Sequence, residues 1–265
     1  MTASLPSPLG GSPPAEIPLV RSPLARAIAQ VRFSSVLKID SKEGVAPFQE
    51  ELRADFPLLE QLVAQQLQIE MGPGGGFKAI ASNVWRFSNA ERGLVLSLTS
   101  DALTLEARDY PGRDTFLERW AGALSHVERV FAPGLALRTG ARYLNRLTGD
   151  SLERLPDWVR PNLIGVAQPD LREYVTQAIS EANLKVEEGD LLLRWGIIPA
   201  NRTIDPGLLE PSPTWSWLLD IDVSSSQQKP FRAAELTTEY GRLMERAYSV
   251  FRWVFTDEGL QHFGA

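Results

Sequence analysis

Three arginines recur at four-residue intervals in Leu135-Ala136-Leu137-Arg138-Thr139-Gly140-Ala141-Arg142-Tyr143-Leu144-Asn145-Arg146-Leu147. In an extended chain, residues an even number apart share a face, so Arg138, Arg142 and Arg146 form one stripe, about 13 Å from one to the next. A guanidinium is a planar fork that matches a carboxylate or a phosphate. The stripe therefore suits an acidic protein surface, nucleic-acid phosphates, or carboxylates of this same chain. Asp220 and Asp222 supply candidate carboxylates within Trp215-Ser216-Trp217-Leu218-Leu219-Asp220-Ile221-Asp222-Val223. Two acids two apart on a strand point the same way and could hold a divalent metal. With no third ligand nearby in sequence, pairing with Arg138, Arg142 or Arg146 across neighbouring strands is the favoured reading. No metal or other cofactor is expected.

The remaining chemistry-bearing residues are sparse. His126 and His262 are the only histidines, and no Ser/His/Asp or histidine-cluster spacing accompanies them. Seven tryptophans are present. Trp85, Trp120, Trp217 and Trp253 read as core, whereas Trp158 and Trp215 adjoin Pro-rich loops and could line a ligand cavity or an interface. Gly72-Pro73-Gly74-Gly75-Gly76 lacks the Lys-Ser/Thr and helix start of a phosphate-cradling loop. These patterns point to no catalytic residues, and the enzyme question leans to no.

The elements that position these groups follow from periodicity. Leu135 to Leu147 reads as one long strand with an apolar face opposite the arginines, central to a wide sheet. Before it come a first strand from Leu24, a helix over Glu43 to Asp55, and a second helix opened by Pro57 with Leu59, Leu62, Val63 and Leu67 inward. A three-stranded meander over Val84–Ser88, Leu94–Thr99 and Leu103–Ala107 follows. A helix capped by Asp114 precedes the long strand. After it come a helix capped by Asp170 that runs to Ile179, strands at Leu184–Glu187, Leu191–Trp195 and Trp215–Val223, and a long helix from Ala233 to Phe255. The expected fold is α+β, with pseudo-duplicated halves sharing one antiparallel sheet and long helices packed on one face. Residues 1–22, rich in Pro, Gly and Ser, read as a disordered arm. Residues 23–263 form a single folded domain of two half-units, about 23–147 and 135–263.

The chain has 265 residues, net charge -6 and no cysteine. The charge supplies no global basic field for nucleic acid or anionic lipid. The missing thiols exclude disulfides and Cys-based metal sites. No apolar run reaches membrane length, and the first residues show no signal-peptide pattern. A cytoplasmic protein is expected.

Several anchors resemble an uncharacterised family of sporadically distributed bacterial proteins of about this length. They are Ser22-Pro23-Leu24 through Arg32-Phe33, Tyr110-Pro111-Gly112, Arg142-Tyr143-Leu144-Asn145-Arg146, Leu219-Asp220-Ile221-Asp222, and Phe255-Thr256-Asp257-Glu258-Gly259-Leu260. The resemblance implies a shared fold and brings no catalytic residues. Sporadic distribution suits an accessory role such as defence or toxin neutralisation. The main expectation is a non-enzymatic interaction protein whose partner is another protein. One alternative is a protein that binds, or acts on, a small apolar ligand in a cavity between sheet and helices. Another is phosphate binding to nucleic acid by the arginine stripe. The oligomeric state is left open.

Overall fold

The computed structural model of the chain describes residues 8–69, 77–167, 171 and 174–264. β1 (Leu24–Phe33) leads through a 3₁₀ turn at Leu37–Asp40 to α1 (Lys42–Leu52). The Ser41 hydroxyl caps α1 by accepting from Gly44 N at 3.0 Å. Four strands follow, β2 (Leu58–Ile69), β3 (Phe77–Ser88), β4 (Leu94–Thr99) and β5 (Ala102–Ala107), and then α2 (Arg113–Phe131). β6 (Leu135–Thr148) spans the middle of the chain. The short helices α3 (Leu155–Trp158) and α4 (Pro161–Ile164) come next. β7 (Ala178–Val186), β8 (Gly189–Ile198), β9 (Ser216–Ser225) and β10 (Lys229–Pro230) precede α5 (Ala233–Val254) and α6 (Asp257–His262).

The ten strands among the described residues join one antiparallel sheet in the order β2-β3-β4-β5-β1-β6-β9-β8-β7, with β10 beside β6. The class is therefore α+β. The long strand expected to be central to a wide sheet lies between β1 and β9.

The chain forms two compact units. One draws on residues up to 28, from 140 to 225 and from 239 onward; the other on residues 29–139 and 226–238. The second has a core built on Phe33, Phe48, Phe87, Leu96, Leu105, Phe116 and Trp120, all buried. Phe48 lies edge-on to Phe87 at 5.6 Å and tilted against Phe131 at 5.4 Å. Trp85 is buried as expected, and its indole N–H donates to the Ile39 carbonyl at 2.7 Å. The first unit buries Trp217, Leu219, Ile221 and Val223 of β9 together with Tyr240, Leu243, Met244, Ala247 and Val254 of α5. Trp217 meets Phe255 edge-on at 6.2 Å, and the Tyr240 hydroxyl donates to Ile28 O at 2.7 Å. Trp253 is half-buried, with the Arg160 guanidinium 5.3 Å from its ring centre.

Four expectations are corrected. The helix expected from Pro57 is β2, paired with β3 along its whole length from Leu58↔Ser88 to Ile69↔Phe77. Leu59, Leu62, Val63 and Leu67 fit helical spacing, but strand pairing outweighs that local preference. The helix expected to run to Ile179 gives way to β7, which starts at Ala178; Asp170, its expected cap, lies outside the described residues. The glycine-rich stretch 72–76 also lies outside them. The cap of α2 is Gly112 at φ 95°, with Asp114 inside the first turn, where its charge suits the helix dipole. The fourth correction concerns the arm, expected to be disordered. From residue 8 it is tied along the first unit, mostly through its main chain. Arg246, 3% exposed, donates to Pro8 O at 2.8 Å and Gly11 O at 3.0 Å. Ile17 N donates to the Tyr248 hydroxyl at 3.0 Å, and Arg21 N to Phe263 O at 2.9 Å.

Candidate interaction site

The arginine stripe is a set of internal ties. Arg142 grips Asp220 bidentately, Nε to Oδ1 and Nη2 to Oδ2, both at 2.8 Å, and reaches Asp205 Oδ2 at 3.4 Å. The Asp220 side chain is 1% exposed, and Arg194 Nη1 stands 3.7 Å from its Oδ2. Burial works to lower the Arg142 pKa, but the bonds and charges of Asp220, Asp205 and Asp222 outweigh it and hold the guanidinium above its ordinary value. Asp220 and Asp222 thus serve the arginines, and Asp220 has both oxygens occupied. Among the described residues no group of three or more His, Asp or Glu side chains could hold a metal ion.

Arg146 donates from Nη2 to the Glu210 carbonyl at 2.7 Å. Burial lowers its pKa, and the neighbouring Arg26 charge lowers it further. Arg138 reaches Gln30 Oε1 at 3.4 Å. Asp205 and Glu210 belong to the long connection between β8 and β9, which lies over this side of the first unit. Leu209 from that connection is 2% exposed and packs with Ile28, Leu144, Ile198 and Leu218. Ile204 and Leu208 pack against the same cluster. The face that alternation marks as charged and free is roofed by an apolar loop, so Arg142 and Arg146 hold the roof. The four prolines of residues 199–214 make a stiff cover, but periodicity cannot say where such a loop lies.

Trp158 and Trp215 part company. Trp215 is 38% exposed at the start of β9. Trp158 is buried and stacks on His262 at 4.0 Å between ring centres. It lines an open cleft of about 530 Å³ with Asp150, Ser151, Arg154, Glu258, Gln261 and His262. Arg154 is paired to Asp157 at 3.0 Å and to Glu258. Burial and the charges of Arg21 and Arg154 lower the His262 pKa. These walls mix charged side chains with an indole and an imidazole, unlike the apolar cavity expected of a small-ligand protein.

A further group of exposed apolar side chains lies in the second unit, where sequence reading placed a helix. β2 is an end strand of the sheet. β4 pairs with β3 only from Trp85 to Ser88. From Leu62↔Val84 outward, β2 and β3 continue as a ribbon whose far side has no further strand among the described residues. Leu62 is 44% and Val63 61% exposed, and Leu59 inside the sheet is 38% exposed. Leu62 and Val63 are consecutive, so they stand on opposite faces of the ribbon. Large apolar side chains are open on both faces beside a strand edge that no other strand pairs with among the described residues. Scattered exposed apolar residues need no explanation, but a grouping along a sheet edge marks a contact surface. The signal available in sequence was Leu62 to Ile69, eight consecutive residues without a charge.

Compared with known proteins, the chain matches no family model and no curated sequence.

Proposed function

We propose that the chain is a non-enzymatic interaction protein and that its recognition element is the β2–β3 ribbon. The observation that carries this reading is the β2 edge, unpaired among the described residues, with Leu59, Leu62 and Val63 exposed beside it. An extended segment of another polypeptide can add to such an edge, main-chain hydrogen bonds supplying affinity and alternate side chains selectivity. The arginine stripe serves the fold in this reading, because Arg142 is paired with Asp220 and Arg146 donates to a loop carbonyl.

The halves are, in our reading, duplicates. Each starts from a central strand, β1 or β6, and ends in a long helix. The sheet order runs β5-β4-β3-β2 outward from β1 and β9-β8-β7 outward from β6, so in each half the last main strand lies beside the first. The Tyr240–Ile28 bond and the Trp217–Phe255 contact support helices packed on one face. The resembled family and its accessory or defence setting belong to the same proposal. So does a cytoplasmic location, which the absence of cysteine favours. No helix among the described residues is long and apolar enough to cross a membrane.

The test is capture from an extract on immobilised wild type and on a Leu62→Lys/Val63→Lys double variant of matched circular dichroism. A protein held by wild type and lost from the variant supports the reading. Identical retention by both overturns it.

A further inference from the structure

The two ends of the sheet differ in a way that identifies what the β2 edge receives. β7, at the far end, carries Glu181 and Lys185 within its nine residues. Charges on an end strand block the approach of another strand, since pairing would strip their water. β2 carries one charge, Glu60, in twelve residues, with neither lysine nor proline. One end of the sheet is protected against strand pairing and the other is left open to it.

We propose that β2 pairs antiparallel with β2 of a second copy of this chain, joining the two sheets edge to edge. This inference rests on the reading of β2 as a recognition edge and names its occupant. Two antiparallel neighbours related by a two-fold axis keep their faces, so each residue meets one of the same parity. An axis through Leu62 sets Leu62 against its own copy and Glu60 against Ala64. An axis through Val63 sets Val63 against its own copy and Glu60 against Gln66. In both registers an exposed apolar residue at the axis is covered by its twin, and no two charges of like sign stand opposite each other. The edge is self-complementary in charge and in apolar character.

The test is sedimentation equilibrium of the full chain across a wide concentration range, with amide hydrogen exchange read over β2. The dimer is expected at twice the chain mass of 29.4 kDa, with β2 amides slowing as concentration rises. The Val63→Lys variant is expected to weaken association at least tenfold while keeping the wild-type circular dichroism. Leu59→Lys serves as a second variant should Val63→Lys fail to fold. A wild type that stays monomeric with concentration-independent exchange overturns the proposal, as does a dimer unaffected by a folded variant. A monomer that still captures another protein through Leu62 and Val63 overturns only the second copy and leaves the recognition edge standing. A monomer that captures nothing overturns both.

Discussion

At the scale of single residues the most consequential group is Asp220. It is the buried centre of a charge cluster, gripped by Arg142 and approached by Arg194. Removing one partner of a buried pair strands the other charge where water cannot reach it, which costs about 3 kcal/mol or more. Asp220→Ala is therefore expected to lower unfolding stability by about 3 kcal/mol in a urea melt. His126 offers a pH test. Burial lowers its pKa, against the opposing pull of Asp55. Its Nδ1 lies 2.5 Å from Glu51 Oε2, and Arg129 is paired to the same carboxylate. The folded state thus favours neutral imidazole. The resulting stability is fully present above about pH 6.5 and is lost as pH falls through the folded value. Thermal melts should show wild type losing stability between about pH 6.5 and 5 more steeply than His126→Gln. The Arg142–Asp220 partnership was legible in sequence because both lie on the polar sides of alternating strands. The loop residues Asp205 and Glu210 were not, since no periodicity governs a loop.

At the scale of elements, two features can be tested. Gly196 sits in β8 at φ 149°, where an added Cβ would fall 1.9 Å from the Ala178 carbonyl oxygen. That backbone cannot yield without breaking the β7–β8 ladder, so Gly196→Ala should destabilise the protein by about 2 kcal/mol or more in a denaturant melt. The arm is the second feature. Without residues 1–18, Arg246 loses two carbonyl acceptors and Tyr248 an amide donor. Each lost charged hydrogen bond is worth about 1.5 kcal/mol or more, so this truncation should lower the melting temperature by several degrees. Composition could not announce that docking: it runs mainly through main-chain atoms and leaves no apolar stripe. Strand β2 escaped for a different reason. Leu59, Leu62, Val63 and Leu67 satisfy a 3.6-residue period behind a proline suited to open a helix, and only the pairing with β3 decides between the two structures. β6 and β9 were legible because alternation over ten residues or more fits no helix.

For the whole molecule, charge bears on the nucleic-acid alternative. The net charge is -6, and Arg142 is spent on Asp220 and Asp205. Fluorescence anisotropy with a labelled oligonucleotide should show no tight, salt-sensitive binding, and an Arg138/Arg142/Arg146 triple alanine variant should bind no less than wild type. Tight binding lost in that variant would restore the phosphate reading.

The clasp of Arg246 on Pro8 and Gly11 also has a consequence for how the chain is made. Pro8 and Arg246 are 238 residues apart. At about 5–20 residues per second, the arm waits on the order of ten to fifty seconds for the helix that holds it. During that interval the arm has no binding site of its own, whereas residues 29–139 already contain nearly all of their unit. Birth order and assembly order therefore differ: residues 29–139 can fold while the ribosome is still translating, and the arm is fastened only after Arg246 of α5 emerges.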